Sequence, residues 1–360
     1  MLIKIKRKII ISILLLISLM TIDISANIQI TDTFSDFTSS DVTIKSDDNI
    51  DGNVIFELLY EGNIVESQEI PLQIKEGETI SKVIIWNKRP QHDYYTSRVS
   101  IYNGDNILDN RSYQVSYGTI AMPSFHVVDF SPTNKGIQLL LRPFNPSVVD
   151  VKIELLDNNN IIYTETKEDI SLLIDNELKI DWPFLLTRDK KYTIRAKIFS
   201  HRLYADPLIN TYIVDFIAND DVEILQDDVE VDEYGASVTL RGKSQVPFDG
   251  AIVVTARNRM TNDTKTYRQQ VEEILISGKE DTAGVVWKGL APGTYDIEIQ
   301  AVNNLNNKIL DKYQTALRIP EESKVEQTPT KSTPGFTTSI FITSIIAIIF
   351  LIAIKRKRGG

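Results

Sequence analysis

The residues best suited to chemistry are few in this chain, and their spacing restricts what they can do. The three histidines, His92, His126 and His201, are scattered along the sequence, each near a turn. A metal site needs several donors converging on one point, and this scatter assigns the histidines no metal or catalytic role. There is no cysteine, which excludes thiol catalysis and cysteine-ligated metals. Asp47, Asn49, Asp51 and Gly52 match the first half of a calcium loop, but the position that should supply a bidentate Glu is Leu58. The segment therefore reads as a polar turn before a strand, with a weak calcium site at Asp47, Asn49 and Asp51 as the alternative. Asp220-Asp221 and Asp227-Asp228-Val229-Glu230-Val231-Asp232-Glu233 form an acidic run. It reads as a solvated edge or interdomain connection, the alternative being a bridging cation. No nucleophile elbow, phosphate loop or dinucleotide fingerprint is present. The expectation is a non-enzymatic protein without a cofactor. Asn110-Arg111-Ser112 and Asn262-Asp263-Thr264 are glycosylation acceptor sequences, meaningful if the chain is exported.

The elements that position these residues are strands. Val54, Phe56 and Leu58 alternate with Ile55, Glu57 and Leu59, and Glu61-Gly62-Asn63 then turns the chain back. Val151, Ile153 and Leu155 alternate with Lys152 and Glu154 before the turn Asp157-Asn158-Asn159-Asn160. Alternation over short runs broken by Asn, Asp and Gly is the mark of half-buried antiparallel strands. Gln269 to Ile276 fits either a turn or two of helix or a strand.

The three tryptophans share one context. Trp86, Trp182 and Trp287 each end an apolar run, and each is followed by a strand opening on Tyr95, Tyr192 or Tyr295. A second tyrosine follows in each case: Tyr113, Tyr212 and Tyr313. The tryptophans are 96 and 105 residues apart, the size of a β-sandwich domain. Their expected role is to plug a core. Leu290-Ala291-Pro292-Gly293-Thr294-Tyr295 is similar to a tyrosine corner, in which the hydroxyl bonds to upstream backbone, and Tyr192 occupies a comparable place. The fold class predicted is all-β: three tandem Ig-like antiparallel β-sandwiches over 27–120, 121–220 and 221–320. The segments Leu58 to Val65 and Ile74 to Glu78, with Trp86 and Tyr95, resemble bacterial and archaeal surface repeats of the CARDB and related Ig-like kind. That resemblance implies a fold and no particular ligand.

Both ends point to export. Residues 1–26 carry Lys4, Lys6, Arg7 and Lys8, then the apolar stretch Ile9 to Met20 and small Ser25-Ala26, the pattern of a signal peptide; an uncleaved anchor is the alternative. Residues 321–335 are a polar linker. Thr337 to Ile354 contains 11 Ile, Leu or Phe in 18 uncharged residues, about 27 Å of helix against a hydrocarbon core of ~30 Å. A transmembrane helix is expected over 336–354, and the basic tail 355–360 is expected to stay cytoplasmic. Removing the eight basic residues and one acidic residue of the two termini from the totals of 39 and 49 leaves a net charge of −17, which argues against nucleic acid as a partner. The Thr-rich stretch, Pro334-Gly335-Phe336, the apolar span and the basic end resemble the archaeal PGF-CTERM sorting signal. That resemblance implies an archaeosortase-like partner that removes the span, with a lipid as the replacement anchor; simple retention of the helix is the alternative. The function expected is a membrane-anchored cell-surface protein of an archaeal envelope. Its sandwiches, outside the membrane, would serve adhesion, envelope structure or docking of a protein or glycan. The alternative is an exported ligand-binding subunit serving a transporter or membrane enzyme, which would need an apolar pocket between domains.

Overall fold

The computed structural model describes residues 28–89 and 91–321. The expected signal peptide, transmembrane helix, basic tail and most of the polar linker, including Pro334-Gly335-Phe336, lie outside the described residues. Among those described, regular structure is antiparallel β apart from two short 3₁₀ turns, at Gly118–Ala121 and Gln226–Asp228.

The strands repeat one plan three times. The first seven are β1 (Ile28–Ser35), β2 (Ser39–Ser46), β3 (Ile50–Tyr60), β4 (Asn63–Ile74), β5 (Thr79–Ile85), β6 (Tyr94–Asn103) and β7 (Asn106–Ser116). β1-β2-β5 faces the four-stranded sheet β4-β3-β6-β7 across a core that includes Val42, Ile44, Val54, Phe56, Leu72 and Ile101. The second set is β8 (Phe125–Pro132), β9 (Gly136–Pro143), β10 (Ser147–Asp157), β11 (Asn160–Leu172), β12 (Asn176–Asp181), β13 (Lys191–Arg202) and β14 (Ala205–Ile217). Here β8-β9-β12 opposes β11-β10-β13-β14 around Leu139, Leu141, Val151, Ile153 and Ile194. The third comprises β15 (Val222–Ile224), β16 (Glu230–Val231), β17 (Gly235–Gly242), β18 (Gly250–Asn258), β19 (Thr264–Gln270), β20 (Glu280–Val286), β21 (Gly293–Asn303) and β22 (Ile309–Ile319). In it β15 and β16 share β17 with β20, opposite β19-β18-β21-β22, around Val238, Leu240, Ile252, Val254 and Ile299. Gln269 to Ile276 forms no helix: strand β19 ends at Gln270, and Leu275 makes an isolated bridge to Phe248.

Local chemistry explains the repeated plan. β3 and β4 are joined by Glu61 and Gly62, with φ of 49° and 81°, the left-handed pair a tight hairpin turn requires. Trp86, Trp182 and Trp287 sit just past β5, β12 and β20 and are buried, with exposures of 6%, 1% and 4%. Their amides donate to the carbonyls of Thr38, Lys135 and Tyr234 at 3.0, 2.9 and 2.9 Å. Their indole N–H groups bond to Ser35 Oγ, Thr133 O and Glu233 O at 3.3, 3.3 and 2.9 Å. Each tryptophan thus ties the end of its strand to a neighbouring turn, β1–β2, β8–β9 or β16–β17, filling volume and satisfying its one polar atom. The tyrosine corner is present in all three sandwiches. Tyr295 Oη donates to Ala291 O at 2.9 Å, whereas Tyr192 and Tyr95 accept from the amides of Thr187 at 3.1 Å and Gln91 at 2.9 Å.

Candidate functional site

The chemistry-bearing side chains gather where the sandwiches meet. On β13, Ile194, Ala196 and Ile198 point into the second core, so the alternation of a strand sends Arg195 and Lys197 to the opposite face. In an isolated sandwich that face would meet water. Here the first sandwich covers it. β5 and β11 join edge to edge at Lys82 and Asn160, reinforced by Val83 N–H to Asn159 O at 2.9 Å and Lys82 Nζ to Asn160 Oδ1 at 2.7 Å. The resulting seven-stranded sheet has order β1-β2-β5-β11-β10-β13-β14. It folds over at this seam, because β2 and β13, three strands apart in the sheet, are in direct contact.

That contact is a buried charge cluster. Asp41 Oδ2 on β2 accepts from Arg195 Nη1 at 2.8 Å and from Lys197 Nζ at 3.0 Å. Arg195 Nε donates to Glu154 Oε2 at 2.6 Å, and Lys152 Nζ lies 2.9 Å from Glu154 Oε1. Arg195 and Glu154 are 0% exposed, Lys197 6% and Asp41 7%. The two buried cations match the two buried anions only because the first sandwich supplies Asp41. Lys197 also lies over the Phe34 ring, 4.1 Å from its centroid, a cation–π contact. Burial holds the Lys197 ammonium below the usual lysine range, against the opposing pull of Asp41. Nearby, Asp36 accepts from the Thr211 amide and hydroxyl at 2.9 and 2.6 Å.

The second junction is made by the turn between β17 and β18. Gln245 N–H donates to Asn134 O at 2.9 Å and its carbonyl accepts from Leu186 N–H at 3.0 Å. Its Nε2 reaches Trp182 O at 2.9 Å. Val246, from the third sandwich's segment, is 1% exposed and packs in the second core. Arg188 Nη2 contacts Asp220 Oδ2 at 3.0 Å and Pro247 O at 2.9 Å, and Asn303 Nδ2 donates to Asp220 at 2.6 Å. Asp220 therefore belongs to an interdomain connection whose cation is Arg188. Asp227 and Asp228, further along the acidic run, are exposed on a 3₁₀ turn.

The remaining candidates are placed as follows. Asp47 and Asn49 lie in the β2–β3 turn and Asp51 on β3; the Asn49 side-chain oxygen accepts the Glu76 amide at 3.1 Å. Asn110, on β7, and Asn262, in the β18–β19 turn, are both exposed. His92 stacks on Tyr60 with ring centroids 3.7 Å apart, and His126 lies edge-on to Phe144. Spacing gave no hint of the partners of His201. Its Nε2 is 3.0 Å from Asp150 Oδ2, and Asp169 joins them, so that three potential ligand atoms lie within 4.8 Å of one another. Burial raises the Asp150 carboxyl, but the Asp169 amide and His201 outweigh it and hold the group below the usual aspartate range. Asp150 and His201 meet on the sheet surface, and among the described residues this trio is the group that could hold a cation.

No protein-family model matches the sequence, and no curated protein matches it. Solved structures share a weak likeness. A tetra-tandem repeat from the extending region of a large adhesion protein is 15% identical with a TM-score of 0.25, over 81% of this chain and 73% of that one. Escherichia coli alpha-2-macroglobulin activated by porcine elastase is 9% identical with a TM-score of 0.21, over 81% and 32%. Red sea bream transglutaminase is 5% identical with a TM-score of 0.26, over 56% and 32%. At these values the likeness carries neither activity nor partner to this chain.

Proposed function

We propose that the chain is a non-enzymatic cell-surface protein, anchored in the membrane by its C-terminal segment or by a lipid that replaces it. Its β-sandwiches stand outside as a stiff unit for adhesion, envelope structure or partner docking. The observation that carries this reading is the docking of successive sandwiches. Beads on flexible linkers would be joined by exposed polar segments. These sandwiches instead share a sheet and a buried charge cluster at one junction, and a core residue, Val246, at the other. Such an array holds a surface at a fixed distance and angle from its base. The apolar segment 337–354 with its basic flank, the leader-like N-terminus and the lack of cysteine support the placement outside the membrane. The PGF-like tail supports an archaeal source and processing by an archaeosortase-like enzyme.

The test is external protease on intact cells, followed by mass spectrometry of the mature C-terminus. Digestion of the sandwiches on sealed cells is the expected result, and full protection would overturn the topology. Recovery of Lys355 to Gly360 on the mature protein would exclude tail processing while leaving a retained anchor.

A further inference from the structure

A cleft of ≈ 490 Å³ opens beside the first junction, between the β1–β2 turn, the connection after β7 and strand β14. Its volume is that of a small-ligand site, and the space between domains is where such sites concentrate. Phe37, Tyr117 and Tyr212 contribute aromatic walls, and Tyr117 and Met122 are 44% and 62% exposed at the cleft. Phe37 meets Tyr117 and Tyr95 edge to face, with centroids 4.7 and 5.0 Å apart.

The electrostatics of the cleft have one sign. No Lys, Arg or His is among its lining residues. Asp36 lines it, and its carboxylate is held by four neutral donors: the amides of Thr38, Ser39 and Thr211 and the Thr211 hydroxyl, at 2.8, 2.9, 2.9 and 2.6 Å. Among the described residues no cation pairs with it, so its charge is delocalised over hydrogen bonds and left uncancelled. Asn210 adds a dipole of the same sense. Its Nδ2 donates to Ala121 O at 2.9 Å, which fixes the orientation of the amide, while its Oδ1 is buried with no donor. The field is felt by neighbours: burial, then Asp36, pushes the Tyr212 hydroxyl up to about 12.

Aromatic faces, an uncompensated carboxylate and no competing cation together select for a positively charged guest with an apolar surface. We infer that this cleft binds an organic ammonium group, held by cation–π contact with Tyr117 and Phe37 in the field of Asp36 and Asn210. The inference does not depend on where the protein is displayed.

The sequence provides its own reporter. There are four methionines; Met122 is at the cleft, and Met260, in the third sandwich, is an internal control. The full chain in detergent, carrying ¹³C-methyl methionine, is titrated with choline and separately with its uncharged isostere 3,3-dimethyl-1-butanol. The expected result is a saturable shift of the Met122 methyl with choline, none at Met260, and a response to the alcohol at least about tenfold weaker. Tyr117→Phe should keep the binding, since the ring face remains. Tyr117→Ala and Asn210→Leu should each weaken it severalfold with Met260 unchanged. Equal response to the alcohol, no shift of Met122 up to the solubility limit, or choline binding undiminished in Tyr117→Ala would each overturn the inference.

Discussion

Replacing Asp41 by Asn should destabilise the pair of sandwiches by about 3–5 kcal/mol at neutral pH, the usual cost of removing one partner from a buried ion pair. The structure provides the argument for that size. Arg195 keeps Glu154, so the charge left uncompensated belongs to Lys197, which is 6% exposed. Its escape is to lose its proton. Starting from the reference value of 10.5, deprotonation at pH 7 costs about 5 kcal/mol at 1.36 kcal/mol per unit, which caps the effect. The same reasoning fixes the pH dependence. Burial lowers the Lys197 pKa in the folded state, so between that value and 10.5 the unfolded chain binds the extra proton and stability rises with pH. In Asp41→Asn the folded-state pKa falls further, the window widens toward neutrality, and the deficit shrinks as the pH approaches 10.5. Guanidinium unfolding of the wild type and the variant at a series of pH values reads this directly. A deficit under about 0.5 kcal/mol at pH 7 would refute the reasoning, since that is the scale of a solvated surface pair.

Other expectations concern separate parts of the molecule. Tyr295→Phe removes the bond to Ala291 O and should cost about 1 kcal/mol, read from the unfolding midpoint. Val246→Asp places a charge in the second core and should free the third sandwich, seen as cleavage between residues 217 and 222 under limited proteolysis and as a second unfolding transition. Asp150 has a carboxyl held below 3.8, so its contribution is full above that value and is lost as the pH falls through the lower folded value. Asp150→Asn should therefore flatten the acid limb of the stability curve below about pH 4.

The sandwiches were legible in the sequence because their signals are local. Val54, Phe56 and Leu58 on β3 and Val151, Ile153 and Leu155 on β10 alternate as half-buried strands must, and all six are buried. Glu61-Gly62 and Asn158-Asn159 mark the hairpins. The tryptophan and tyrosine repeat marked the same corner in each copy. The junctions were not legible, for a physical reason. Lys152, Glu154, Arg195 and Lys197 occupy the outward positions of their strands, where charged residues ordinarily meet water. Nothing in a periodicity of two distinguishes a solvated face from one covered by a domain whose residues lie over a hundred positions away, as Asp41 does. His201 escaped for the same reason: Asp150 and Asp169 approach it through strand pairing, not through sequence spacing.

The account turns on sandwiches that are both outside the membrane and docked to one another, and the lack of native cysteine allows one measurement to test both. Single-cysteine variants Leu203→Cys, at a position 88% exposed, and Ser39→Cys, at one 0% exposed within the first junction, are treated on intact cells with a membrane-impermeant maleimide. The account predicts rapid modification of Leu203→Cys and protection of Ser39→Cys until the protein is denatured. Protection of both would contradict display outside the membrane, and modification of both would contradict docking.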